Sequence, residues 1–220
     1  MTQDMTREEF LEASLGHALF DGWSEATIAL AATDLGMDIA AARALFPRGP
    51  VDLALEYHRS GDRALEAMLA TEDLSEMKVR ERITHAVKTR LLLSDRDLVR
   101  NGFALFALPQ NAATGSKALW GTSDLIWRTL GDPSRDINWY TKRATLSAVI
   151  SSTVLYWLGD DSEGQAKTWD FLDRRIENVM QFERFKSKVK SSPFGRAFDA
   201  GPGRLAGLVS APKSAQEDAK

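Results

Sequence analysis

The stretch from Asn138 to Leu158 constrains the fold more than any other part of the chain. After its first turn it is apolar on most of its circumference, and Ala144 to Leu158 is almost free of charge. A helix of that kind needs burial on several sides, so it calls for other helices around it. The rest of the chain supplies them. Phe10, Leu11, Leu15 and Leu19 form a helical stripe over Thr6–Phe20, with Thr6 as cap and Glu8 and Glu9 in the first turn. Ser24 caps a second run that stops at Gly36, and Asp38 opens a short third one ending at Leu45. A fourth, Asp52–Arg59, is expected to end near Gly61.

From Asp62 onward the helices lengthen. Leu74–Leu93 carries Val79, Ile83, Val87 and Leu91 four apart. Asp97–Leu108 stops at Pro109, Ser116–Leu130 at Gly131, and Gln165 to about Val189 follows the long apolar helix. No alternating strand of any length appears, which predicts an all-α fold of about nine helices. The domains expected are a helical head at 1–61, a larger helical domain at 62–190, and a linker with a short amphipathic tail at 191–220.

Composition narrows the chemistry. The chain has 220 residues and no cysteine, which excludes disulfides, thiolate metal sites and cysteine nucleophiles. A net charge of -3 argues against a protein that coats nucleic acid. No apolar run approaches the roughly 20 residues that span a bilayer, and MTQDMTREEF lacks the marks of a signal or transit peptide. These features predict a soluble cytoplasmic chain. His17, His58 and His85 have no metal-ligand spacing, and Glu81 and His85 stand four apart. The Glu-x-x-His pair of di-iron bundles needs three. There is no GxGxxG, Walker loop or GxSxG. Ser151, Ser152 and Thr153 read as hydroxyls bonding back to their helix or lining a cavity. No enzyme, metal or cofactor is expected.

The average charge hides a local excess. Between Arg184 and Arg204 lie Arg184, Lys186, Lys188, Lys190, Arg196 and Arg204 against the one acid Asp199, a net of +5. Phe194, Phe198, Leu205 and Leu208 are interleaved with or follow these charges. The stretch suits an anionic membrane surface, with Lys188, Lys190, Phe194, Arg196, Phe198, Arg204, Leu205 and Leu208 as contacts. A peripheral position on the inner face of the cell membrane follows.

Five of the six tryptophans fall between Trp120 and Trp169. Trp139 and Tyr140 are adjacent at a helix start. Neighbours on a helix point about 100° apart, so both cannot be centrally buried. Either the pair marks an interface, where both residue types are enriched, or Trp139 packs the core and Tyr140 closes the loop. Leu146, Val149, Ile150 and Val154, beside the small residues Ala144, Ser147, Ala148, Ser151 and Ser152, either line an apolar ligand cavity or form a plain core. Leu105, Leu108, Leu119 and Trp127 complete the expected lipid-binding set.

Two resemblances follow from these strings. Leu35-Gly36-Met37-Asp38 through Leu45-Phe46-Pro47 to Leu53 resembles the DNA-binding head of TetR-type regulators. The packing residues Gly36 and Phe46 are kept. Arg43, Ala44 and Gly49 stand where the pattern carries phosphate-binding groups, and the third helix offers no Asn, Gln or Lys to base edges. No nucleic acid is expected as a partner.

The second resemblance rests on Gly131–Ala144 (GDPSRDINWYTKRA) and Thr168–Ile176 (TWDFLDRRI), with Arg80–Leu91 and Ala107–Asn111 in support. These resemble the Coq-nine family of ubiquinone biosynthesis proteins. The resemblance implies a TetR-like fold with a degenerate helix-turn-helix and a lipid-binding domain. It also implies an accessory role, presenting an isoprenoid lipid to a di-iron hydroxylase of quinone biosynthesis. The hydroxylase-binding patch maps onto Asp124, Leu125, Ile126, Trp139 and Tyr140, with Arg143 beside it. A homodimer through the last two long helices is expected by analogy with TetR folds. The alternative is a ligand-responsive TetR-type transcriptional regulator.

Overall fold

A computed structural model of the chain describes residues 6–191 and 211–212. Among these, regular structure is helical throughout: α1 (Arg7–Asp21), α2 (Glu25–Asp34), α3 (Ile39–Leu45), α4 (Pro50–Thr71), α5 (Val79–Leu92), α6 (Arg96–Ala107), α7 (Ala112–Thr129), α8 (Ile137–Leu158) and α9 (Ala166–Ser191). They divide into two compact units, one of residues 6–72 with 89–121, the other of 73–88 with 122–191 and 211–212.

In the first unit, local chemistry sets the helix ends. Thr6 and Glu9 form a reciprocal capping box, each satisfying the other's backbone N–H. Ser24 and Asp38 accept from Thr27 N–H and Ala40 N–H at the starts of α2 and α3. Gly36, at φ +60, makes the left-handed turn between them. Phe10 and Phe46 are fully buried with their rings 5.3 Å apart, and Leu53, Ile28 and Leu98 close the core.

Helix α4 departs from the sequence expectation. It runs through Gly61 to Thr71, where the glycine predicted a stop. The missing side chain has another use: a Cβ on Gly61 would lie 2.6 Å from the Arg90 guanidinium. Arg90 fills that space, bonding to Asp62 at 2.8 Å, Ser94 at 2.6 Å and the His58 carbonyl at 2.8 Å. A mid-helix glycine costs about 1 kcal/mol relative to alanine, and the anchored guanidinium offsets it. His58 is itself half-buried, and the loss of solvent around its imidazole pushes its pKa below the ordinary range.

In the second unit, α8 turns out more one-sided than its composition predicts. Trp139, Arg143, Leu146, Val149, Ile150, Thr153 and Trp157 are buried, a single stripe at helical spacing. Leu155 on the opposite face is 54% exposed, and Ala144 and Ala148 are exposed too. Ser152 and Thr153 donate back to the Val149 carbonyl at 3.0 and 2.7 Å. The turn into α9 is organised by Asp160, whose carboxylate accepts from Ser162 and from the Thr168 hydroxyl and amide. These bonds hold the Asp160 carboxyl far below the ordinary carboxylate range.

The Arg90 packing predicts opposite outcomes for two glycines of the first unit. Gly61→Ala is expected to lower unfolding free energy by about 1–3 kcal/mol, because the buried guanidinium must give up its bonds. Gly16→Ala, in the middle of α1 with open space around it, is expected to raise it by about 0.5–1 kcal/mol. Urea titration of the two variants measures both.

Candidate functional site

The second unit contains a buried ionic cluster and, beside it, a cavity. The cluster begins with Asp132 in the loop before α8. Its side chain is fully covered. It accepts from Ser134 N–H and Oγ in a tight turn, from Lys142 Nζ at 2.6 Å, and from Arg143 Nη1 at 3.2 Å. Arg143 is 3% exposed and spans the loop and two helices. Its Nε bonds Asp124 on α7 at 2.5 Å, and its Nη1 also donates to the Trp139 carbonyl at 3.1 Å. The guanidinium lies 4.0 Å from the Trp139 ring centroid, and Lys142 Nζ lies 5.0 Å from that of Trp127. Burial alone would raise the Asp132 pKa, but bonds from Lys142 and Ser134 outweigh it and keep the carboxylate below its ordinary 3.8. Asp132 and Arg143 are covered and the partly exposed Lys142 and Asp124 complete the set, so two cations balance two carboxylates.

The cavity has a volume of about 300 Å³, at the lower end of small-molecule sites. Its walls come from α5 (Val79, Ile83), α7 (Trp127), α8 (Leu146, Val149) and α9 (Ile176, Val179). Asn138, Thr141, Lys142 and Thr145 add polar groups along α8. The site is therefore mostly apolar with a few polar groups, the composition usual for small-molecule pockets.

Of the lipid-binding residues expected from the sequence, the structure places Trp127, Leu146 and Val149 on this cavity. Ile150 is buried and Val154 half-buried on α8, but neither is among the described lining residues. Leu105, Leu108 and Leu119 belong to the first unit and do not line it; Leu105 packs against the first unit's own apolar core. The small residues of α8 do not make the space either, because Ala144 and Ala148 face outward. Sequence reasoning missed Asn138, Thr141 and Thr145, polar side chains that spacing alone gives no reason to single out. Asp132 was the second omission. Its Asp-Pro-Ser turn motif, ten residues before Lys142, was the available signal.

The expected partner patch is brought together, but mostly beneath the surface. Leu125, Ile126, Trp139 and Arg143 are buried, and Asp124 and Tyr140 are half-buried. Trp139 and Tyr140 meet edge to face at 4.8 Å, so the adjacent pair divides into one core ring and one ring that reaches solvent. Lys188 and Lys190 lie on the backbone of α9. Phe194, Arg196, Phe198, Arg204, Leu205 and Leu208 lie outside the described residues. In the head, Arg43, the basic residue of α3, pairs with Glu25 at 3.4 Å, and Arg48 pairs with Asp52 at 2.7 Å.

This arrangement of helices is that of TetR-type proteins. The fold is similar to a TetR transcriptional regulator from Nitrosomonas europaea ATCC 19718, with a TM-score of 0.64 over 80% of this chain and 98% of that one, at 17% sequence identity. Sequence relationships identify the lineage. The COQ9 family model matches residues 112–183, which include the Asp132–Arg143 cluster. Ubiquinone biosynthesis protein COQ9-B of Xenopus laevis is 30% identical over 200 residues, 87% of this chain and 68% of that protein. The rat COQ9 protein is 30% identical over 87% of this chain, and that of Drosophila melanogaster 29% over 90%. The chain belongs to the COQ9 family. It spans 63% of the Drosophila protein's length and 64% of the rat protein's; both carry the description mitochondrial.

The ionic cluster generates two predictions. Arg143→Met leaves Asp132 covered with one cation fewer and is expected to cost about 3–5 kcal/mol of unfolding free energy. Because the folded-state pKa of Asp132 is depressed, its stabilisation is present above the unfolded value near 3.8 and is lost as pH falls through the lower folded value. Asp132→Asn is therefore expected to flatten the acid limb of the stability–pH curve below about pH 4, measured by denaturant titration at a series of pH values.

Proposed function

We propose that this chain is an accessory protein of ubiquinone biosynthesis that receives the apolar part of an isoprenoid quinone intermediate in the second-unit cavity. The observation that carries the reading is the cavity itself. It is apolar, it is walled by α5, α7, α8 and α9, and much of its lining falls in the segment that matches the COQ9 family. Moving hydrocarbon out of a membrane into water costs about 0.8 kcal/mol per CH₂. An apolar cavity offsets that cost for the part of the chain it holds. Asn138, Thr141 and Lys142 provide hydrogen-bonding groups for a quinone head.

Presentation needs a partner and a surface. The proposed partner is a di-iron hydroxylase, docking where Asp124 and Tyr140 reach solvent over the buried Leu125, Ile126, Trp139 and Arg143. In this reading the buried four shape the patch and the half-buried two touch the partner. The basic stretch Arg184–Arg204 holds the chain peripherally on an anionic leaflet, the inner face of the cell membrane, at about 1 kcal/mol per charge near the surface. Among the described residues no helix is long and apolar enough to cross a membrane. A homodimer is proposed through α8 and α9, the last two long helices, where Leu155 of α8 is exposed. The competing reading is a DNA-binding regulator. It is disfavoured by α3, whose Arg43 is engaged with Glu25, and a duplex-binding assay at low and moderate salt separates the two.

Val149→Trp adds bulk to the cavity wall and is expected to remove co-purifying isoprenoid lipid, read by mass spectrometry, with the far-UV helix signal unchanged. An unaltered lipid load would place the ligand elsewhere. Tyr140→Ala is expected to abolish capture of the hydroxylase in a pull-down while leaving lipid load intact, and undiminished capture refutes the patch.

A further inference from the structure

Far along the chain from the end of α9, Ala211 is 5% exposed. It belongs to no helix, and its N–H donates to the Arg135 carbonyl at 2.9 Å. Arg135 sits in the loop between Asp132, which anchors the ionic cluster, and Asp136, whose side chain caps α8 by accepting from Asn138 N–H at 3.0 Å. Next to Ala211, Pro212 is exposed. A residue before proline is driven to extended backbone, which suits a segment laid along a loop and donating its N–H to it.

We propose that the loop 132–136 is a docking site for extended chain, and that its occupant is the protein's own segment Ala211-Pro212. The match is specific in kind. The loop offers a backbone acceptor held in place by a capped helix start on one side and the Asp132 turn on the other. The segment offers a small apolar residue that fits under cover and a donor that points at the acceptor. Docking fixes a point on the chain beyond the end of α9 at Ser191. The proposal does not rest on lipid binding or on the hydroxylase.

Amide exchange by NMR on the full-length chain tests it. The Ala211 amide is expected to exchange at least about tenfold more slowly than its unstructured-peptide rate. Truncation after Val209, and separately Ala211→Pro, which deletes the donor N–H, are expected to shift the amide resonances of Ser134 to Asn138. Those of Glu25 to Asp34 in the first unit serve as the unmoved reference. Exchange of Ala211 at the unstructured rate, or loop resonances indifferent to both changes, overturns the proposal. Either result is independent of lipid load and hydroxylase capture, so it leaves the functional reading to its own tests.

Discussion

The covered guanidinium of Arg143 is the interaction on which the second unit depends. One side chain bonds α7 through Asp124, the loop through Asp132 and its own helix through the Trp139 carbonyl, while its face covers the Trp139 ring. A lone buried cation would be prohibitively costly, and so would a lone buried carboxylate. Each therefore requires the other, and the loop before α8 can take only a conformation that delivers Asp132 to this place. The planar, multi-donor geometry matters as much as the charge. A lysine has no fork with which to hold three groups on separate elements at once. Lysine stands next door, at 142, and there it makes the compact contacts that suit it, with Asp132 and Ser134.

That adjacency ties the cluster to the cavity. Lys142 contributes both to the lining of the cavity and to the bonds that hold Asp132. Residues 138, 141, 142 and 145 face the space, while 139 and 143 face the loop and α7. The helical offset of about 100° per residue assigns neighbouring positions to different tasks, and Asp132 joins them by accepting from both cations. One polar group of the cavity, Lys142, is thus placed by the same carboxylate that orders the loop.

How much of this was legible in the sequence depends on whether the signal is local. Thr6, Ser24, Gly36 and Asp38 sit where caps and turns require them, because capping is decided within a few residues. The helical class followed from periodicity for the same reason. What failed was nonlocal. Gly61 reads as a stop until Arg90, from another helix, is seen occupying the space its missing side chain leaves. Helix α8 reads as buried all round, yet one chain buries one stripe and leaves Leu155 open. Leu105, Leu108 and Leu119 are as apolar as Leu146. Only the division into units shows which of them can share a cavity. The tryptophans were visible as a cluster, but their division into a core ring at 139 and half-buried rings at 127 and 169 depends on where Arg143, Lys142 and Lys88 come to lie.

The head shows the same separation between packing and use. Its apolar core is complete: Phe10, Phe46, Ile28, Leu53 and Leu98 are covered, and Gly36 makes the turn a helix-turn-helix needs. Phosphate binding draws on cations that stand free to meet the backbone of a duplex. Here Arg43 faces Glu25, Arg48 is bonded twice to Asp52, and the remaining positions of α3 are chiefly alanine and leucine. A fold of this kind is held by its core, whereas recognition of nucleic acid is held by a few surface charges, so the second can be lost while the first stays intact. The apolar core contributed by α1, α2 and α4 forms whether or not α3 reads a base.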